Sequence, residues 1–178
     1  LTGPVVTNLE RVFMQDLVTS GRSVAVPQPV QDPDILVAST LPRPDIRPLA
    51  LELLDSARTS LDLEQFVITD TGVVHALEHA HSRGVNIHLL LDPSQAPSDA
   101  PADDLRGSGV DVRLYPTHGE LLHAKAAVAD GERVLFGSAN WTTSGFEHNH
   151  EVDVEIFSPT VAHVFTQQMS RDWNRGVT

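Results

Sequence analysis

The apolar segment 85–91 constrains the fold of this 178-residue chain more than any other feature. Apolar side chains occupy most of its positions, which is typical of a strand covered on both faces of a sheet. Segments with the periodicity of amphipathic helices precede it and close the chain, and further strand-like segments lie between them. This alternation predicts an α/β fold with a mixed sheet flanked by helices.

The elements expected from residue 47 onward follow from periodicity and from turn residues. Asp130-Gly131 separates two strand-like segments and is a standard hairpin signal. The proline-, serine- and aspartate-rich segment 93–101 is expected to be a loop. The predicted helices are 48–60, 73–83 and 160–173, and the predicted strands are 61–68, 85–91, 110–115, 122–129, 133–136 and 151–157.

The N-terminal part of the chain has a different character. Apolar residues within 5–20 form a helical stripe, and Gly21 is a suitable end for that helix. Six prolines follow between residues 21 and 48, which predicts an irregular linker with at most one strand at 35–38. We therefore predict a helical segment, a proline-rich linker and a main domain, with the bounds 1–21, 22–46 and 47–176.

Composition excludes several classes of function. The net charge of −12 at pH 7 argues against a protein that neutralises many phosphates along DNA, so nucleic acid is the less favoured partner. The chain has no cysteine, which excludes disulfides and thiolate metal sites. No apolar stretch approaches the ~18–20 residues that span a bilayer. The localisation stays undetermined among a soluble, a secreted and a peripheral membrane protein.

Lys125 is the only lysine of the chain, beside eleven arginines. It lies two residues after His123 and five before Asp130. The run Gly137-Ser138-Ala139-Asn140 follows, and Glu151 comes after it. These residues resemble the phospholipase D superfamily, whose motif is His-x-Lys-x4-Asp, known as the HKD motif. Three linked matches in the right order make the signal specific.

The resemblance covers roughly residues 45–175 and implies the phospholipase D-like mixed sheet. It also implies that His123 attacks phosphorus or protonates the leaving oxygen, through a covalent phosphohistidine and without metal or cofactor. Lys125 would neutralise the non-bridging phosphate oxygens. If His123 and Lys125 both lie on one regular strand, their side chains share a face and reach one phosphate together.

Other residues of the motif are further candidates for binding substrate. Ser138 and Asn140 would donate neutral hydrogen bonds to phosphate oxygens, and Gly137 would allow the backbone to approach closely. A plain strand-ending turn is the alternative for this run. Trp141 and Phe146 flank it and would line a pocket for the leaving group, although packing in the core is the more common use of such residues.

Two carboxylates complete the set of catalytic candidates. The resemblance suggests that Glu151 orients the catalytic imidazole. The alternative is a solvated edge charge, like Asp153 and Glu155 on the same side of the strand. Asp130 would face away from His123 on a regular strand, so we expect it to shape the hairpin or to pair with a distant base. A turn aspartate that bonds local backbone amides is equally compatible with the sequence.

One HKD motif is half of a site, because the resemblance implies two opposing histidines. Residues 1–60 contain no histidine, so the second motif must come from a homodimer mate or from an N-terminal repeat outside this chain. Segment 1–20 resembles 159–173 in its spacing of Pro and apolar residues, which favours the tail of a preceding repeat. Chance similarity of two amphipathic helices is the alternative.

The expected function is a phosphodiesterase that acts on phospholipid head groups at a membrane surface, by hydrolysis or by phosphatidyl transfer. Segment 61–66 and the Asp172-Trp173 pair that ends the last helix resemble bacterial transferases of this superfamily. A metal-independent nuclease of the single-motif homodimeric type is the alternative. A non-catalytic scaffold half that retains the fold is a third hypothesis.

Overall fold

A computed structural model describes residues 3–116 and 119–178. Its centre is a seven-stranded mixed sheet with the strand order β1-β7-β6-β5-β2-β3-β4. The strands are β1 Ile35–Ser39, β2 Ser60–Gln65, β3 Asn86–Leu91, β4 Asp111–Leu114, β5 Lys125–Ala129, β6 Arg133–Gly137 and β7 Val152–Phe157. The helices are α1 Pro4–Thr19, α2 Ile46–Ser56, α3 Thr71–Ser82, α4 Asp99–Gly107 and α5 Pro159–Arg175.

Helices cover both faces of this sheet. Strands β2, β3 and β4 are parallel, and the other pairings are antiparallel. Buried residues of α2, α3 and α4 form the main core with one face, and α5 packs on the other face through Ala162 and Met169. The predicted α/β fold with a mixed sheet flanked by helices is thus confirmed. Among the helices in the described ranges, none is both long and apolar enough to cross a membrane.

The N-terminal segments join the sheet more closely than the sequence suggested. Strand β1 lies inside the proline-rich segment and pairs antiparallel with β7, so part of that segment belongs to the domain. Helix α1, predicted within 5–20, is confirmed. Its first two turns are held by a hydrogen bond from the Val5 amide to Asp32 and by two bonds between the Asn8 side chain and the backbone of Val30. Residues 1–2 of the predicted helical segment lie outside the described part.

Helix α4 was not predicted, and its first residues lie in the segment expected to be a loop. Three prolines, several aspartates and few apolar side chains conceal a helix that buries only Ala102 and Leu105. Tertiary packing of those two residues against the core outweighs the weak local signal. The expectation of a loop over 93–101 is therefore wrong for its second half.

Strand β7 carries carboxylates into the interior. Asp153 and Glu155 are buried, so neither is the solvated edge charge that simple alternation suggests. Glu155 accepts a hydrogen bond from Arg133, which also reaches Glu52 and Ser56 of α2. Burial raises the pKa of Glu155, and the charge of Arg133 opposes that effect. This network joins α2 to β6 and β7.

Asp130 ties the β5–β6 hairpin to the start of β2. Its carboxylate accepts hydrogen bonds from the backbone amides of Arg58, Thr59 and Ser60 and from the Thr59 hydroxyl. Burial alone would raise the pKa of Asp130, but these hydrogen bonds outweigh it and the pKa is lowered. Asp130 and Gly131 both have positive φ angles, of 55° and 66°, which a tight hairpin turn requires and which Asp tolerates.

Replacement of this carboxylate should therefore destabilise the fold. We expect Asp130→Ala to lower the free energy of unfolding by about 2–4 kcal/mol, because three amides lose their acceptor and Ala is strained at positive φ. Asp130→Asn keeps one acceptor oxygen and the backbone preference, so its loss should be smaller. Urea unfolding measures both. The exposed Asp34→Ala is the control, and an Asp130→Ala loss no larger than that of the control would contradict this role.

Another buried carboxylate lies between β2 and α5, on the face of the sheet that α5 covers. Glu64 is 7% exposed, and its Oε1 has no hydrogen-bond partner among the described residues. Burial and the nearby charge of Asp172 raise the pKa of Glu64 to about 7. Because the pKa in the folded state lies above that of the unfolded chain, ionisation of Glu64 costs stability as the pH rises from about 4.5 to about 7.

Glu64→Gln should remove that cost. We expect the variant to be more stable than the wild type by about 1–3 kcal/mol at about pH 8, and nearly equal to it at about pH 4.5, where Glu64 is protonated. Urea unfolding at the two pH values measures the difference. The exposed Glu10→Gln should show no such pH-dependent gain, and an equal gain at both pH values would contradict the assignment.

Candidate active site

The predicted site residues meet at one edge of the sheet. Strand β2 ends at Gln65 where β5 begins at Lys125, and these two residues are paired. Strand β6 ends at Gly137, opposite Asp153 near the start of β7. Antiparallel pairing therefore brings two strand ends and two strand starts together, with the loops that precede β5, follow β6 and precede β7.

The imidazole of His123 and the ammonium of Lys125 are in contact. Lys125 Nζ lies 3.2 Å from His123 Nε2 and donates to the His123 carbonyl oxygen at 3.2 Å. His123 precedes β5 instead of lying on it, so the loop, and not regular strand alternation, brings the side chains together. His123 is exposed, whereas Lys125 is only 7% exposed. The ring is open to a substrate, and the ammonium lies beneath it.

Phe66 is a site residue that the sequence analysis missed. Its ring centroid lies 4.5 Å from that of His123 and 4.9 Å from Lys125 Nζ, within the range of a cation–π contact. The Phe66 amide also donates to the Ala124 carbonyl, which extends the β2–β5 pairing by one step. The signal in the sequence was an aromatic residue directly after a buried strand, which is too common to single out.

Opposing effects act on the pKa of Lys125, and the effect of burial is the larger one. Burial lowers the pKa of Lys125, and the charges of Glu151 and Asp153 oppose that shift. A desolvated ammonium interacts more strongly with an anion than a hydrated one does. Within the described residues, no three His, Asp or Glu side chains are grouped closely enough to hold a metal ion.

Ser138 and Asn140 lie in the loop after β6. Ser138 is exposed, and its hydroxyl and amide form hydrogen bonds with the backbone of Val152. The Asn140 side-chain oxygen is buried without a partner among the described residues. The loop thus begins at the end of β6, the strand next to Lys125. The Ser138 hydroxyl oxygen accepts a hydrogen bond from the Val152 amide, but the hydroxyl can still donate one. Direct contact of these two side chains with substrate stays a prediction.

Glu151 lies close enough to Lys125 to affect its pKa. The Glu151 carboxylate accepts a hydrogen bond from the Asn149 side chain at 3.1 Å, and the Glu151 amide donates to the Thr40 hydroxyl at 3.0 Å. These bonds anchor the segment before β7 to the end of β1. The orienting bond to His123 that the resemblance implies is absent from the hydrogen bonds of the described residues, so that role stays a prediction.

Two residues predicted to belong to the active site lie elsewhere in the structure. Asp130 was named as catalytic, but it lies at the opposite end of β5 from Lys125, which is about 16 Å along a five-residue strand. Its carboxylate binds the backbone amides of Thr59 and Ser60, which are distant along the chain, whereas the turn interpretation expected local amides. Trp141 was named as substrate-binding, but it is 1% exposed and packs in the main core beside Phe146. Its large apolar surface explains that burial.

Comparisons with known proteins agree with this geometry. Residues 50–173 match the family described as "Cardiolipin synthase, PLD-like domain". A mitochondrial cardiolipin hydrolase of Xenopus tropicalis is 34% identical over 124 residues, which are 69% of this chain and 59% of that protein. Cardiolipin synthase 1 of Staphylococcus epidermidis is 28% identical over 151 residues, which are 78% of this chain and 30% of the synthase.

A solved structure extends the likeness to the fold. The phospholipase D family member Nuc from Salmonella typhimurium superimposes with a TM-score of 0.76 at 28% identity, covering 82% of this chain and 97% of Nuc. By contrast, the chain spans only 59% and 55% of the length of the mitochondrial cardiolipin hydrolases of Xenopus tropicalis and Danio rerio. Because the family match runs from α2 to α5 and takes in the His123–Lys125 contact, the chain belongs to the phospholipase D superfamily.

Proposed function

We propose that this chain is half of a phosphodiesterase that acts on phospholipid head groups through a covalent phosphohistidine. The contact between Lys125 Nζ and His123 Nε2 carries the proposal. It combines an exposed imidazole, which can act as nucleophile, with a buried ammonium that can bind the same phosphate.

The proposed reaction has two displacements. In the first, an imidazole nitrogen of His123 forms a bond to phosphorus while the bond from phosphorus to the leaving alcohol breaks. A proton from an opposing histidine goes to the leaving oxygen. In the second, water or an acceptor alcohol gives its proton to that opposing histidine and displaces His123 from phosphorus. Lys125 would neutralise the negative charge on the non-bridging oxygens in both steps.

Three features favour a phospholipid over a nucleic acid. The net charge of −12 disfavours long polyphosphate ligands. Leu121, two residues before His123, is 59% exposed and offers an apolar contact beside the phosphate site. The matched relatives are named as a cardiolipin hydrolase and a cardiolipin synthase. Whether water or an alcohol is the acceptor depends on access to the phosphohistidine.

The second histidine would come from another half, either a second copy of this chain or an N-terminal repeat. His123 is exposed at an open edge of the sheet, which is compatible with an opposing half. The superposition covers 97% of the Nuc chain, which supports the proposal that a chain of about this size forms one complete half.

The first test uses vesicles that contain cardiolipin, with excess chelator. We expect hydrolysis of one phosphodiester bond of cardiolipin to give phosphatidic acid and phosphatidylglycerol, measured by phosphorus NMR or mass spectrometry of the lipids. His123→Ala should abolish it, and Lys125→Arg should reduce kcat by about 10²–10³-fold, because a guanidinium does not reproduce the compact ammonium.

The matched control is His75→Ala, since His75 is an exposed histidine on α3 that takes no part in the contact between His123 and Lys125. It should leave the rate unchanged. Lipid turnover that survives in His123→Ala would contradict the assignment of the nucleophile. Cutting of plasmid DNA with intact lipids would favour the nuclease, and activity on neither substrate would favour the scaffold.

The second test addresses the pairing of two halves. If two copies of this chain form the site, each copy supplies one essential histidine. Co-refolded wild type and His123→Ala, mixed equally, should then retain about one quarter of the wild-type activity, as expected for random pairing. About one half would remain if each chain acted alone, and full activity in a monomer by light scattering would contradict the two-half site. A monomer that is active only with an added N-terminal repeat would identify the other arrangement.

A further inference from the structure

Four neighbouring strands each contribute one residue to a row at the edge that holds Lys125. Gln65 pairs with Lys125, and Gly137 pairs with Asp153. The β5–β6 register, in which Ala126 faces Phe136, places Gly137 directly beside Lys125. Paired residues of neighbouring strands point to the same face of a sheet. Asp153 and Lys125 therefore lie on one face, separated by the only residue of the row that has no side chain.

The Asp153 carboxylate occupies the space above that glycine. A Cβ atom added to Gly137 would collide with Asp153 Oδ1, Cγ and Cα. Any other residue at position 137 would displace the carboxylate from this place between β7 and β5. The backbone conformation does not require glycine at position 137, because Gly137 does not have a positive φ angle. The close approach of the Asp153 carboxylate does require it.

Asp153 also holds the loop that follows β6. Its Oδ1 accepts a hydrogen bond from the Ala139 amide at 3.0 Å. Ala139 lies between Ser138 and Asn140, so this bond fixes the loop that carries both candidate phosphate-binding side chains. Asp153 is 1% exposed, and its Oδ2 has no hydrogen-bond partner among the described residues. A buried carboxylate with a free oxygen is costly and needs a compensating interaction.

We propose that Asp153 is a positioning residue of the active site, whose carboxylate fixes the Ser138–Asn140 loop and whose charge, together with that of Glu151, favours the protonated form of the buried Lys125. The inference rests on the proposed phosphodiesterase function and adds a residue that the HKD motif does not contain. No hydrogen bond joins Asp153 to His123 among the described residues, so Asp153 acts through Lys125 and through the loop.

The charges around Asp153 agree with this role. Burial raises the pKa of Asp153 to about 6, against the effect of the Ala139 and Ser138 amides; Glu151 raises the pKa further and Lys125 lowers it. On the other side of β7, the paired residue is Ala38 of β1, which has no charge. Above about pH 6 the Asp153 carboxylate is charged and supports the ammonium, and below it that support is lost.

Glu151 supports the ammonium as well, and its charge opposes the lowering of the Lys125 pKa more strongly than that of Asp153 does. The Glu151 side chain is only half-buried, however, so its position and its charge are more open to solvent. The buried carboxylate is the steadier partner, since its position is fixed by the Ala139 amide and by the absence of a side chain at residue 137.

The single lysine makes this inference directly measurable. Protein labelled with 13C-lysine gives one side-chain signal, that of Lys125. The titration is recorded in a His123→Asn background, so that the neighbouring imidazole does not contribute. We expect the Lys125 signal to show a small second inflection near pH 6, from Asp153. The substitution Asp153→Asn, made in the same background, keeps an acceptor for the Ala139 amide and removes the charge. The inflection should then vanish and the Lys125 pKa should fall.

Glu155→Gln is the matched control, because Glu155 is another buried carboxylate on the same strand and face but pairs with Arg133. It should lower stability without changing the Lys125 titration. Gly137→Ala, which keeps both charges but displaces the carboxylate, should weaken the inflection. A Lys125 titration without an inflection near pH 6, or one that Asp153→Asn leaves unchanged, would overturn the inference.

Activity separates this inference from the proposed function. With the histidine restored, Asp153→Asn should lower kcat most at alkaline pH, where Lys125 loses its proton earlier than in the wild type. Unchanged kcat at every pH would overturn the positioning role even if the NMR coupling is present. A wild type that cleaves no phosphodiester while the coupling is measured would refute the proposed function and leave the electrostatic link between Asp153 and Lys125.

Discussion

Burial of one ammonium beside one exposed imidazole is the constraint on which the site depends. Lys125 begins β5, which lies between β2 and β6 in the sheet, so its side chain is desolvated by the neighbouring strands. Burial disfavours the charged form of Lys125, and the negative charges of Glu151 and Asp153 oppose that effect. The glycine at position 137 and the Phe66 ring then complete the surroundings of Lys125 on either side.

The architecture was predictable because the helical and the strand periodicity of apolar residues are both strong from residue 47 onward. The apolar strand β3 required cover on both faces, and α3 and α5 provide part of it. Helix α4 was hidden, because only Ala102 and Leu105 reach the core from a polar segment. Strand β1 was predicted as a short segment, but its pairing with β7 depends on contacts about 120 residues apart along the chain, which local periodicity does not encode.

The site was predictable in its motif and less so in its surroundings. The spacing of His123 and Lys125 identified the pair, although a loop conformation, and not strand alternation, brings them into contact. Asp130 belongs to the same motif but stabilises the opposite end of β5. Asp153 could not be distinguished from a solvated charge, because its burial follows from the β6–β7 register and from a glycine sixteen residues earlier. Trp141 shows the opposite error: it was predicted to line the site because it follows Asn140 in the sequence, but its side chain belongs to the core.

The most direct test of the covalent chemistry is mass spectrometry of protein quenched during turnover of cardiolipin or of a slow phosphodiester substrate. Digestion at alkaline pH preserves phosphohistidine. We predict a substrate-derived phosphoryl adduct on the peptide that contains His123, absent from the His123→Ala variant. Turnover that leaves His123 unmodified under quench conditions that preserve a control phosphohistidine, or an adduct on a different residue, would contradict it.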